Sequence, residues 1–119
     1  LRDFAEFKKH CNRWIDRLGL SDWEISVCKD ELSREDESVS HRAYMNWTQH
    51  KARLVWNAAY RTPVDHTAQP SESRDALHEV LHVLLNPMLQ MAASRGDADC
   101  KEVDALEHAV INRLLKVMK

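Results

Sequence analysis

Glycine and proline are scarce, with 2 Gly and 3 Pro in 119 residues. That scarcity, with no biased tract, excludes collagen-like repeats, linker-rich architecture and low-complexity disorder. Cysteine is also sparse: Cys11, Cys28 and Cys100 are odd in number and form no CxxC pair. They read as reduced thiols of a cytoplasmic chain rather than as a disulfide framework. Apolar runs are short, the longest lying at Val80-Leu81 and Val83-Leu84-Leu85, whereas a bilayer span needs roughly 20 residues. The start, Leu1-Arg2-Asp3-Phe4, lacks the basic-then-apolar pattern of a secretory signal. It also lacks an initiator Met, which reads as a trimmed or processed chain. No sign of charge dominates, since 17 basic and 19 acidic residues leave a formal net charge of −2. No strong field therefore draws the chain to nucleic acid or an anionic membrane. The length suits a single domain over residues 1–119, because one core can close at this size but not two.

What is present is patterned hydrophobicity. Phe4, Phe7, Cys11, Trp14 and Leu18 recur at spacings of three and four, so residues 3–18 are predicted as an amphipathic helix ended by Gly19. Trp23, Ile25 and Val27 alternate in a period-two strand over 22–29. The charged, aperiodic run from Lys29 to Ser40 reads as a solvated loop. Two further strands follow, one on Ala43, Met45 and Trp47 and one on Ala52, Leu54 and Trp56, joined as a hairpin around Gln49-His50-Lys51. The stretch from Arg61 to Ser73 reads as a loop in which Ser71 or Ser73 caps the next helix. That helix runs from Glu72 to Asn86-Pro87, where proline kinks or ends it, and residues 88–91 are able to continue it. A turn is expected over 92–98. The last helix covers 99–118, with an apolar stripe of Val103, Leu106, Val110, Leu114 and Val117. One helix, three strands and two helices give an α+β class, with a small and mostly antiparallel three-stranded sheet. The four tryptophans, Trp14, Trp23, Trp47 and Trp56, read as core anchors.

Chemistry is concentrated in His78-Glu79-Val80-Leu81-His82, an HExxH on a predicted helix. A spacing of four stacks both imidazoles on one face, roughly 6 Å apart, where both reach one zinc ion. Glu79 flanks that face. Zinc makes a water acidic enough to ionise near neutral pH, and Glu79 is placed to take its proton.

Zinc needs a third protein ligand. A metzincin extension would require Gly at 85 and His at 88, but the chain has Leu85 and Met88. The final helix instead offers Glu102, Asp104, Glu107 and His108. Glu107 lies about 40° from the centre of the apolar stripe, Glu102 about 100° and His108 about 140°. A carboxylate inside a core-facing stripe calls for a partner, because burying it alone is costly. If the two helices turn near residues 94–95, position 107 comes level with 82; if the first stops at Asn86, Glu102 is favoured. Glu107 is therefore the first choice for third ligand, with Glu102 and then His108 as alternatives. Tyr60, His66, His108 and Arg113 are candidates for stabilising an oxyanion.

HEVLH followed by a Glu on the next helix resembles the gluzincin-type zinc metallopeptidases. More narrowly, WEISV, a strand hairpin, LHEVLHVLLNP and EHAVINRL are similar to compact metallopeptidase domains encoded by bacteriophages. The similarity covers residues 23–114, and HEVLH is its specific part. It implies a minimal zincin fold, zinc on His78, His82 and a downstream Glu, Glu79 as general base, and a sheet edge where an extended peptide adds as a strand. The gluzincin ExxxD marker is not clear here, while Glu102-Val103-Asp104-Ala105 loosely matches an ExxA form. The expected function is hydrolysis of a peptide or protein substrate. The alternatives are a catalytically silent zincin-fold binding module and a metal-free helical interaction domain.

Overall fold

The computed structural model describes residues 2–32, 39–60, 71–94 and 100–118. The first helix, α1, spans Phe4–Arg17. Asp3 starts it by accepting the backbone N–H groups of Ala5 and Glu6 at 2.9 and 3.3 Å, the role of an N-cap carboxylate. Phe7, Cys11 and Trp14 form its buried stripe. Gly19, at φ +67°, ends it. The Gly19 N–H donates to Asp16 and the Leu20 N–H to Ile15, the paired bonds of a Schellman motif.

The strands β1 (Glu24–Asp30), β2 (His41–Asn46) and β3 (Lys51–Asn57) form one sheet in the order β1-β3-β2. The predicted hairpin is present, β2 pairing antiparallel with β3 so that Asn46 stands opposite Lys51. Its turn over Trp47–His50 holds His50 at φ 52°. The expectation of a mostly antiparallel sheet needs correction, because β1 pairs with β3 in parallel. The chain after β1 skips one strand position, about 10 Å at the usual strand spacing. Segment 31–40 is long enough for that crossing, and β3 returns from β2 into the gap in the direction of β1. Asn57 secures both ends of the crossing: its Oδ1 accepts the Leu32 N–H at 3.1 Å and its Nδ2 donates to the Val39 carbonyl at 2.7 Å.

Period-two alternation sends Ile25, Val27, Ala43, Met45, Ala52, Leu54 and Trp56 into the core. Above that face lies α2, Glu72–Ser94, with α1 on one flank and α3, Cys100–Val117, on the other. The Ser71 hydroxyl accepts the Arg74 N–H at 3.2 Å and so serves as the cap. Because α2 has neighbours on several sides, Leu77, Val80, Leu81 and Val83 are all buried. Trp14, Trp23 and Trp56 are buried and Trp47 packs at the core margin, as anchors should.

Two helical expectations are corrected. Pro87 lies inside α2, which continues to Ser94 instead of turning from Ala92; the proline forfeits one backbone bond without stopping the helix. On α3, Leu106 and Val117 are 63% and 75% exposed, while Ile111 is fully buried. The inward face is rotated toward Glu107, Ile111, Leu114, Leu115 and Met118. Apolar periodicity misses this phase because Glu107 and His108 occupy the inward face where it approaches the cleft. No helix among the described residues is long and apolar enough to cross a membrane.

Candidate metal centre

A cleft of about 460 Å³ opens between β2, α2 and α3. From α2 come His78, Glu79 and His82; from β2, His41, Arg42, Ala43 and Met45; from α3, Asp104, Glu107 and His108. The helical spacing of four brings the two α2 imidazoles together, their Nε2 atoms 3.2 Å apart. Two nitrogens on one tetrahedral zinc, each at about 2.0–2.1 Å, stand about 3.3 Å from one another. The donor pair therefore has the separation that a shared zinc requires.

The antiparallel run of α3 against α2 brings Glu107 level with His82, with 2.9 Å between Glu107 Oε2 and His82 Nδ1. His108 stands on the same face, its ring centroid 5.0 Å from that of His82 and 5.8 Å from that of His78. One donor atom from each of His78, His82 and His108 lies within 4.8 Å of the other two. Asp104, Glu107 and His108 form a similar group along α3. Glu102 is exposed and lies outside the cleft. Of the sequence candidates, His78, His82, Glu107 and His108 are thus brought together and Glu102 is not.

Glu79 is 7% exposed. Burial, with Asp75 and Glu107 nearby, pushes its carboxyl up to about 8, opposed by Arg42. A dication on His78 and His82 would act the other way and favour the carboxylate. Burial, then His82 and His108, pulls His78 down to about 4. Its imidazole is therefore neutral at pH 7, the form that ligates a metal.

Next to this centre is a second polar cluster that the sequence reading passed over. His41, 6% exposed, stacks on Phe7 and faces Glu72 at 3.3 Å and Asp75 at 3.7 Å. Glu72 Oε2 accepts the Trp56 indole N–H at 2.8 Å and the Asp3 backbone N–H at 2.9 Å. This carboxylate thus ties together the starts of α1 and α2 and the end of β3. Burial, then Arg2 and His78, holds His41 down to about 3, while burial and Glu72 push Asp75 up to about 6. One signal was available: alternation with Ala43 and Met45 places His41 on the core face, where a polar side chain needs partners.

The other oxyanion candidates separate. Tyr60 stacks under the Arg2 guanidinium at 4.8 Å and does not line the cleft. Arg113 is exposed away from it, and His66 lies outside the described residues. Arg42 lines the cleft beside Glu79 and was not singled out from the sequence. Cys11 and Cys28 are free thiols. No family model, no curated protein and no solved structure matches this chain, so the reading of the cleft rests on its own chemistry.

Proposed function

We propose that the protein is a zinc-dependent metallopeptidase of gluzincin-like character, with Glu79 as its general base. The observation that carries this reading is the 3.2 Å approach of the His78 and His82 Nε2 atoms beside a buried glutamate in one cleft. His78 and His82 would hold the zinc, with a third donor from α3. Bound there, zinc would supply Lewis-acid polarisation of the scissile carbonyl and of the attacking water. Glu79 receives the proton of that water and returns it to the leaving amine, so one carboxylate serves as base and then as acid. A dication held by His78 and His82 would favour the Glu79 carboxylate, the form that accepts a proton. Arg42 adds positive charge to the same wall. β2 is an edge of the sheet and lines the cleft, which suits an extended peptide that adds main-chain bonds there. The sparse cysteine content, with no CxxC pair, favours a reducing compartment, the cytoplasm.

Elemental analysis together with cleavage of a peptide library tests the reading. About one zinc per chain is expected, with cleavage abolished by chelator. Glu79→Gln should retain zinc and lose about 10²-fold or more in rate. Stoichiometric zinc without cleavage of any peptide would instead identify a silent zincin-like binding module. A wild-type chain that takes up no zinc after refilling overturns the metal reading itself.

A further inference from the structure

We propose that His108 supplies the third metal-binding nitrogen, where a gluzincin uses a glutamate, and that Glu107 acts behind His82 as a positioning residue. This rests on the zinc reading above and assigns the ligands of that same site. The two nitrogens of the His82 ring point away from each other. Nε2 faces His78 at 3.2 Å, and Nδ1 faces the Glu107 carboxylate at 2.9 Å. An ion held by His78 and His82 would therefore have the His82 ring between it and Glu107 Oε2. In that place a carboxylate receives the Nδ1–H, fixes the tautomer and makes Nε2 more basic. This is the usual outer partner of a metal-bound histidine.

His108 is prepared in the same way. Its Nδ1 stands 2.9 Å from the Asp104 backbone carbonyl one turn back. Nδ1–H donates to that oxygen, and Nε2 keeps the free lone pair. Its ring meets that of His82 edge-on and that of His78 at a tilt, with neither pair stacked face to face. A donor from each of the three rings falls within 4.8 Å of the others. Three imidazoles with one open position is a known type of catalytic zinc set. Adjacent positions 107 and 108 then have separate duties: His108 faces the ion, while Glu107 holds the back of His82. The negative charge that the ligands themselves lack is supplied by Glu79, Glu107 and Asp104 around the cleft.

The test measures zinc affinity by competition with a chromophoric chelator and counts coordinated imidazoles by X-ray absorption of the zinc-loaded protein. The wild type is expected to show three imidazoles. His108→Ala should lose more than about 100-fold in affinity and show two. Glu107→Gln should keep one zinc per chain and three imidazoles, with affinity reduced about 10- to 100-fold. His108→Gln, closer in size, together with circular dichroism, separates ligand loss from misfolding. Two imidazoles in the wild type, with His108→Ala binding normally and Glu107→Gln failing to bind, would overturn this assignment and leave the zinc reading intact. A wild type that binds no zinc overturns both.

Discussion

Glu79 sits where its charge is least welcome, and that placement has a measurable thermodynamic consequence. In the unfolded chain its carboxyl has the ordinary value of 4.5, and in the folded protein it is pushed up to about 8 by burial. The folded state then binds the proton more tightly, so this contribution to stability is complete below about 4.5 and is lost as pH rises through about 8. Glu79→Gln keeps the shape without the ionisation. With chelator present, the variant and the wild type should have similar stability near pH 4.5 and diverge as pH rises. The variant is expected to be more stable by on the order of 4 kcal/mol near pH 8, as read from denaturant unfolding across pH. A difference that stays constant with pH would show that desolvation does not govern this carboxyl. His41, held down to about 3, acts in the opposite direction, its contribution being lost as pH falls below its ordinary 6.5. At this scale much of the site was legible. HEVLH announces itself, and the antiparallel register of the last two helices brings Glu107 beside His82. Which nitrogen of His82 it meets was not legible, because ring orientation depends on packing between two helices.

Among the elements, α1 was the most readable, since its apolar spacing and its stop residue agree. Gly19 adopts φ +67°, and a Cβ added there would meet nothing within 4 Å. Replacement by alanine therefore carries a backbone cost alone. Gly19→Ala should destabilise the protein by about 1 kcal/mol, and Gly19→Asn by less, because asparagine tolerates this conformation. Thermal unfolding of both variants checks this, and an alanine variant as stable as the wild type would remove the helix stop from the account. The sheet was less readable. Alternation identifies the strands and the hairpin turn, but strand order depends on a crossing that local pattern does not encode. α3 was the hardest, because a functional face with Glu107 and His108 interrupts the apolar stripe that would have revealed its phase.

Across the whole molecule, the cleft is assembled from parts of unequal security. α2 is enclosed by α1, the sheet and α3, whereas α3 packs chiefly on α2. Local opening should therefore begin at α3, as it does where buried contacts are few. Hydrogen exchange followed by mass spectrometry is expected to show faster exchange over residues 100–117 than over the buried part of α2. Added zinc should slow exchange in α3 and leave β1 unchanged, because the ion would link two elements that otherwise separate. Uniform protection of α3 and α2 without zinc would contradict this. The order β1-β3-β2 has a separate consequence for biosynthesis. Among the three strands of the described residues β1 is made first, yet its partner there, β3, is made after β2. For that interval β1 lacks its β3 partner, and β3 must be in place before the sheet can accept it. The charged run from Lys29 to Ser40 overlaps the last two residues of β1 and continues beyond it. It gives the waiting strand a soluble neighbour in the nascent chain, where an exposed edge would otherwise invite aggregation.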